Sequence, residues 1–452
     1  MSAILLKDCF FIQPSADAEG IRGADILIQG DSIARVARGV AYGQGTRVID
    51  CSRHVVVPGF VNTHHHFFQT LTRNLPAVQN AKLFDWLVYL YEVWKRIDGE
   101  AVYCSSLLAM GELLKTGCTC STDHLYLYPR EVDADFAALQ FQAAEKLGMR
   151  FSPSRGSMSL SRKDGGLPPD TVVQDEDTIL SDSERVIRKF HDPSPRAMRK
   201  VVLAPCSPFS VSEDLMRRSA RLARAHGVRL HTHLAETSDE NDFCLAKYGV
   251  RPVELMDRCE FIGPDVFYAH GIFFSDAELA VLRARGARVA HCPSSNMRLG
   301  SGICRVRDML DRGIPVSLAV DGSASNDSSD FLGEMRNALL LQRVSRGSGA
   351  LGAREVLRMA TDTGAAVLGF EGIGRIEEGY AADLALFNID RIEYCGSLSD
   401  PFAALIFAGY NHGADYTLCN GRVVVEKGRL TGIDEDELIR NANRIAARLI
   451  KA

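Results

Sequence analysis

Long hydrophobic runs are missing from this chain of 452 residues. None approaches the roughly 20 consecutive apolar residues that a membrane-spanning helix needs. The short apolar run near the N-terminus is interrupted by the charged Lys7, so no signal peptide is predicted. We therefore expect a cytoplasmic protein that has no membrane partner.

Paired cysteines and an excess of one charge are also missing. None of the twelve cysteines stands in a Cys-x-x-Cys pair, and scattered cysteines in a long chain without a signal are expected to be reduced thiols. Lys and Arg number 52 against 57 Asp and Glu, which leaves a net charge of −5 and gives no electrostatic case for a nucleic-acid partner. There is no internal repeat and no low-complexity segment.

What the chain does contain is the pattern His64-His65-His66 at the end of a short apolar strand. Side chains alternate along a strand, so His64 and His66 point to the same face. Two imidazoles on one face can hold a cation such as zinc. His65 points the other way and is expected to pack.

Four further apolar runs end in polar residues that could serve chemistry. They end at His231-Thr-His233 with Glu236 three residues on, at His270, at His291 and at Asp321. Helix-like stretches lie between them, and strand–helix–strand alternation predicts right-handed parallel units. Polar residues at the carboxyl ends of parallel strands are typical of the active-site face of a (β/α)₈ barrel.

The chain is therefore expected to be an α/β protein, a (β/α)₈ TIM-like barrel with a small β-sandwich. We predict that residues 1–57 form the N-terminal part of the sandwich and that 58–370 form the catalytic barrel. Residues 371–432 would form the C-terminal part of the sandwich, and 433–452 a helix with an apolar stripe. Gly30-Asp31 and Asn420-Gly421 mark two hairpin turns in the strand-rich ends.

Several motifs, taken in order, resemble the amidohydrolase superfamily and, within it, the cytosine/guanine/adenosine-type aminohydrolase branch. The motifs are Pro58-Gly-Phe-Val-Asn-Thr-His64-x-His66, His233-Leu-Ala-Glu236, His270-Gly, Val320-Asp321-Gly-Ser-Ala-Ser-Asn326-Asp327 and Gly379-Tyr-Ala-Ala-Asp383-Leu. The resemblance spans nearly the whole chain. It implies the same barrel and sandwich and a metal-dependent hydrolase.

The resemblance implies that the metal ligands are His64, His66, His233 and Asp321. Three imidazoles and a carboxylate suit one zinc ion per chain, and iron(II) could replace it. Relatives with two metals use a lysine at the end of the fourth strand. Here Lys200 stands at the start of that strand, so a mononuclear site is expected. His231 shares a face with His233 and could be the ligand instead, and Asp321 could simply cap a turn.

The catalytic roles are also implied by the resemblance. Asp321 would take a proton from the attacking water and hand it on, and Glu236 would protonate the ring nitrogen beside the attacked carbon. His270 would stabilise the growing negative charge. Segments around Gln69, His124, Arg155 and Cys206 resemble those members of the branch that deaminate 8-oxoguanine to uric acid and ammonia.

The expected partner is a small heterocyclic molecule, and the protein is expected to form a homo-oligomer. Gln69, Arg155 and Cys206 are candidate substrate-binding residues, although Arg155 could instead form a structural salt bridge. The candidates for stacking on the heterocycle are Trp86, Trp94, Tyr126 and Phe209. A triazine hydrolase, or a guanine or pterin deaminase, remains an alternative on the same metal site.

Overall fold

The structure, a computed structural model, describes residues 3–408 and 412–451. The first strands build the outer part of the molecule rather than its centre. They are β1 (Ile4–Cys9), β2 (Phe11–Ile12), β3 (Ala24–Gln29), β4 (Ser32–Ala37), β5 (Arg47–Asp50) and β6 (His54–Pro58). β3 and β4 pair as the antiparallel hairpin predicted at Gly30-Asp31, where Gly30 has a φ of 64° that suits glycine.

A parallel sheet of eight strands, ordered along the chain, forms the centre of the molecule. Its strands are β7 (Phe60–Asn62), β8 (Cys118–Leu125), β9 (Arg150–Ser157), β10 (Val202–Pro205), β11 (Arg229–Leu234), β12 (Val266–His270), β13 (Arg288–His291) and β14 (Val316–Leu318). The backbone N–H of Thr63 donates to the Leu318 carbonyl at 3.4 Å, and that of Asp321 donates to the His64 carbonyl at 3.1 Å. These bonds bring the first and last strands together, so the predicted barrel is confirmed.

Helices connect the barrel strands and cover them. They are α1 (Leu83–Trp94), α2 (Gly99–Lys115), α3 (Phe136–Leu147), α4 (Glu176–Phe190), α5 (Glu213–His226), α6 (Ser238–Tyr248), α7 (Pro252–Arg258), α8 (Asp276–Arg285), α9 (Pro293–Arg298), α10 (Val306–Asp311), α11 (Ser323–Asn326), α12 (Phe331–Arg346), α13 (Ala353–Ala360) and α14 (Asp362–Leu368). α5 shows why such segments are helical: the Ser212 side chain caps the Leu215 N–H, and Gly227 ends the helix with a φ of 68°.

The C-terminal segment returns to the N-terminal strands and completes the outer sheets. It contains β15 (Leu384–Asn388), α15 (Pro401–Phe407), β16 (Tyr416–Cys419), β17 (Arg422–Glu426), β18 (Arg429–Leu430) and α16 (Glu435–Lys451). β15 pairs with β6, so one six-stranded sheet contains strands from both ends of the chain, while β1, β3, β4 and β5 form a second sheet. Apolar side chains of the two sheets, among them Ile26, Val56 and Leu384, pack into one core.

α16 packs its buried face, which includes Ile445 and Leu449, against α2 and the segment after β7. Within the described ranges, no helix is both long enough and apolar enough to cross a membrane. The twelve cysteines all lie in these ranges as free thiols. The predicted architecture of a barrel with outer sheets built from both ends of the chain is therefore present.

Candidate active site

The strand-end histidines and Asp321 meet at the carboxyl ends of the barrel strands. His66 Nε2 lies 3.1 Å from His233 Nε2. The Oδ1 atom of Asp321 lies 3.3 Å from His64 Nε2 and 3.4 Å from His66 Nε2. The four ligands implied by the sequence are therefore brought into one cluster, and all four side chains are largely or fully removed from solvent.

Two of the functional positions have unusual backbone conformations. His270 has a φ of 72° and Asp321 a φ of 65°, in the left-handed region that residues other than glycine rarely adopt. Such a conformation costs on the order of 1–3 kcal/mol and is concentrated at functional sites. At the ends of β12 and β14 it turns the chain sharply where each side chain enters the barrel mouth.

The hydrogen bonds of His66 and His233 show that their Nε2 atoms carry no proton. His66 Nδ1 lies 2.8 Å from the His124 carbonyl, and His233 Nδ1 lies 2.7 Å from the Cys206 carbonyl. A carbonyl only accepts, so each Nδ1 must donate and each neutral ring presents a bare Nε2. Two nitrogen lone pairs that face each other at 3.1 Å repel unless a positive ion lies near both.

This donor set fits a divalent cation. The Nε2 atom of His64 is buried and makes no hydrogen bond within the described part of the chain. Burial opposes ionisation of Asp321, but its hydrogen bond to His64 and the nearby histidines hold its pKa well below the usual range. Three bare imidazole nitrogens and a carboxylate suit zinc or iron(II).

His124, at the end of β8, is a neighbour of the cluster that the sequence reasoning did not assign to it. One nitrogen from each of His64, His66, His124 and His233 lies within 4.8 Å of those of the other three. His124 Nε2 donates to the Ala204 carbonyl at 3.0 Å, while its buried Nδ1 makes no hydrogen bond. Its position at a strand end was the available sequence signal.

The other histidines near the cluster have different surroundings. Both nitrogens of the fully buried His231 are occupied, one by His64 and the other by the Phe267 carbonyl, so this ring has no free lone pair for a metal. His65 contacts Ser329. His291 is buried, and neither of its nitrogens makes a hydrogen bond in the structure.

Glu236 and His270 face the cluster from the adjacent strands β11 and β12. His270 Nε2 lies 3.4 Å from Glu236 Oε2, and Ser301 Oγ donates to Glu236 Oε1 at 3.4 Å. Burial, reinforced by the charges of Asp321 and Glu240, raises the pKa of Glu236 well above its usual value. Burial lowers the pKa of His270 to about 4. A protonated carboxyl group and a neutral imidazole are therefore favoured side by side.

A cavity of about 410 Å³ adjoins the cluster. Its lining combines site residues with apolar and aromatic side chains, namely His66, Gln69, Leu83, Trp86, Leu87, Tyr91, Tyr126, Cys206, Phe209, His233, Glu236, His270, Leu299, Asp321 and Ser325. Two polar atoms of this lining, Gln69 Oε1 and Trp86 Nε1, are buried and make no hydrogen bond. A buried acceptor and a buried donor without partners are what a polar ligand would satisfy.

The predicted substrate-binding residues have different fates. Gln69 and Cys206 line the cavity, and the Gln69 amide occupies the space beside Gly322, where a Cβ would lie 2.0 Å from Oε1. Arg155 is not among the lining residues. Its guanidinium donates to Asp182 at 2.7 Å and to Gln174 at 2.9 Å and lies over the Tyr128 ring, which corresponds to the structural alternative. Of the stacking candidates, Trp86, Tyr126 and Phe209 line the cavity, whereas Trp94 packs in the core.

Comparison with known proteins matches residues 55–424 to the model of the amidohydrolase family. The chain is 47% identical over 403 residues to an 8-oxoguanine deaminase of Pseudomonas aeruginosa, with 89% of each protein covered. It is 39% identical over 437 residues to hydroxydechloroatrazine ethylaminohydrolase of a Pseudomonas species, with 95% of this chain and 90% of that protein covered.

Among solved structures, atrazine chlorohydrolase from Arthrobacter aurescens complexed with zinc superimposes with a TM-score of 0.93 at 29% identity, covering 98% of this chain and all of that one. The order of the barrel strands, the ligand cluster at their carboxyl ends and the extent of these matches agree with one another. The chain belongs to the amidohydrolase family.

Proposed function

We propose that this protein is a hydrolytic deaminase that removes the exocyclic amine of a purine base, with 8-oxoguanine as its preferred substrate. The observation that carries the reaction class is Glu236. Its buried carboxyl group is held protonated and faces the same cavity as the histidine cluster. Hydrolysis of an amidine-like C–N bond needs an acid at that place, because the ring nitrogen must gain a proton as water attacks.

The proposed cofactor is one zinc ion per chain, held by His64, His66, His233 and Asp321, with iron(II) as an acceptable substitute. The zinc complex of the related atrazine chlorohydrolase supports this choice. When bound, such an ion lowers the pKa of water and orients it for attack. Metal analysis of the isolated protein should give one equivalent per chain, and two tightly bound ions would contradict the proposal.

The remaining steps belong to the side chains. Asp321 takes the proton of the attacking water and passes it to the departing amine, which leaves as ammonia. Glu236 donates its proton to the ring nitrogen next to the attacked carbon and recovers one as the C=O bond forms. His270 stabilises the negative charge that develops on the attacking oxygen. The sum is 8-oxoguanine and water giving uric acid and ammonia.

The cavity supports a flat heterocycle that both donates and accepts hydrogen bonds. Gln69 Oε1 can accept one bond and the Trp86 indole N–H can donate one, and both atoms lack a partner. Burial raises the pKa of Cys206 to about 12, so its thiol is a neutral wall of the cavity. The 47% identity to an 8-oxoguanine deaminase supports the choice of an oxidised purine among such heterocycles.

The substrate is tested by comparing kcat/KM for ammonia release from 8-oxoguanine, guanine, cytosine, adenosine and isoxanthopterin. Compared with guanine, 8-oxoguanine carries an additional oxygen and an additional N–H. Two groups left unpaired cost about 1–3 kcal/mol each, so 8-oxoguanine should exceed guanine by roughly two to four orders of magnitude. If guanine or the pterin equals 8-oxoguanine, the substrate proposal fails while the deaminase class survives.

The second candidate is a triazine hydrolase, favoured by the likeness to the two triazine-acting proteins. It would use the same cluster and release chloride or an alkylamine. Assays of chloride and amine release from chloro- and alkylamino-triazines distinguish it from a purine deaminase. Turnover of a triazine with a kcat/KM at least equal to that of 8-oxoguanine would favour this second function.

A further inference from the structure

The fully buried His231 links the metal-facing His64 to the backbone of the next barrel strand. His231 Nε2 lies 2.7 Å from His64 Nδ1, and His231 Nδ1 lies 2.8 Å from the Phe267 carbonyl oxygen. His231 has none of its surface exposed to solvent. The two rings and the carbonyl form an unbranched chain that ends at His64 Nε2.

The direction of every hydrogen bond in this chain follows from the carbonyl. The Phe267 oxygen can only accept, so His231 Nδ1 carries a proton and the neutral ring has a bare Nε2. That nitrogen must therefore accept, and His64 Nδ1 must donate to it. The proton of the neutral His64 is thereby held at Nδ1, so Nε2 keeps its lone pair beside Asp321.

We infer that His231 is a positioning residue that holds His64 in the Nδ1-protonated tautomer and so prepares Nε2 to bind the divalent cation. His66 and His233 donate directly to backbone carbonyls and need no such intermediary. His64 reaches a carbonyl only through a second side chain. This inference rests on the proposed metal site but not on the proposed substrate.

The geometry also excludes the alternative that His231 is itself a ligand. Both of its nitrogens are engaged at hydrogen-bond distance, so no lone pair remains for a metal unless the contact with His64 is broken. A ring in the reversed orientation would place two lone pairs 2.8 Å apart at the Phe267 carbonyl. The residue therefore acts through His64 rather than on the ion or on the substrate.

The test measures zinc affinity, which needs no substrate. Zinc binding to the metal-free protein is measured by competition with a chromophoric chelator for wild type, His231→Leu, His231→Gln and His291→Leu. Leucine cannot accept a hydrogen bond, and loss of such an outer partner should weaken zinc binding about 10- to 100-fold. Glutamine offers an amide oxygen to His64 Nδ1 and should restore most of the affinity.

His291→Leu is the matched control, because His291 is an equally buried strand-end histidine whose nitrogens make no hydrogen bond. It should leave zinc affinity unchanged. Wild-type affinity in His231→Leu, or equal weakening in His231→Leu and His231→Gln, would overturn the inference while leaving the metal site intact. A wild-type chain that binds no zinc or iron(II) would overturn the metal site as well.

A second measurement covers the case in which His231→Leu does not fold. The ¹⁵N shifts of the metal-free wild-type protein, with histidines labelled and His64 assigned by comparison with His64→Asn, report which ring nitrogen carries the proton. We expect Nδ1–H at His64. A proton on Nε2 would overturn the inference.

Discussion

At the scale of single residues, Glu236 combines the properties that a proton donor needs. It lines the cavity, lies 3.4 Å from His270, and has a pKa raised by burial and by two neighbouring carboxyl groups. The Ala235 and Glu236 N–H groups donate to Glu240, which holds the turn that carries Glu236. The position of the acid is therefore set by backbone contacts rather than by the metal cluster.

Replacing Glu236 by Gln should abolish most turnover without releasing the metal. The amide keeps the shape of the side chain but cannot deliver a proton, and a positioned acid or base contributes about 10²–10⁴-fold to the rate. Steady-state kcat and the metal content of the same preparation measure the two effects. Glu236→Asp, which keeps the acid but shortens its reach, should fall between wild type and Glu236→Gln. Near-normal kcat in Glu236→Gln would reject the assignment.

Residues that a strand-end pattern can identify were predicted correctly in position. His64, His66, His233, Glu236, His270 and Asp321 meet in the structure because parallel strands deliver their carboxyl ends to one edge. The role of Arg155 could not be predicted, since it depends on Asp182 and Tyr128, which come from separate segments of the chain. The choice between His231 and His233 likewise required knowing which nitrogen each backbone carbonyl occupies.

At the scale of elements, the turns were the most readable feature. Asn420 and Gly421 have φ values of 50° and 74°, so both central residues of the β16–β17 hairpin are left-handed, as the Asn-Gly pair predicted. The short 3₁₀ helix Phe67–Thr72 that places Gln69 beside Gly322 had no such signal. Its position depends on contacts with residues that follow the last barrel strand, far along the chain.

Glu334 on α12 joins three elements through a buried carboxyl group. It accepts from the Ser294 N–H in the first turn of α9 at 3.2 Å and from the Asn326 side chain at the end of α11 at 2.8 Å. Burial is the main cause that raises its pKa to about 8 from an ordinary value of 4.5. The folded protein therefore keeps a proton on Glu334 over a pH range in which the unfolded chain has lost it.

The sign of the resulting pH dependence is fixed by that difference. The contribution of Glu334 is fully present below pH 4.5 and is lost as the pH rises toward about 8, at up to about 1.4 kcal/mol per pH unit. Glu334→Gln, which mimics the protonated form, should make the free energy of unfolding fall less steeply across this window. Urea unfolding of the metal-free protein between pH 5 and 9 measures the slopes.

Asp123 and Glu240 have pKa values raised to about 7 by the same cause and remain in the variant, so part of the slope should persist. Identical slopes for wild type and Glu334→Gln would show that Glu334 does not titrate in this range. A variant that is equally stable at pH 5 but more stable than wild type at pH 8 is the expected pattern.

At the scale of the whole molecule, an ion pair connects the barrel to the outer sheets. Arg150 at the start of β9 is fully buried, and its guanidinium donates to both Asp383 oxygens, at 3.1 and 3.3 Å. It also donates to Asn420 in the β16–β17 turn and to the Arg196 carbonyl. Asp383 belongs to one of the motifs by which the sequence resembles its family, but its partner on β9 could not be predicted, because strand register alone does not reveal it.

Replacing Arg150 by Met should destabilise the fold by about 3–5 kcal/mol, because Asp383 would remain buried without a counter-charge. Adding Asp383→Asn removes that uncompensated charge and keeps an oxygen that can accept from the Asn420 N–H, which now donates to Asp383 Oδ1 at 2.6 Å. The double variant should therefore be more stable than Arg150→Met alone, and denaturant unfolding of both measures the difference. A loss below about 1 kcal/mol in the single variant, or a double variant no more stable than it, would mean that this ion pair does not hold the outer sheets to the barrel.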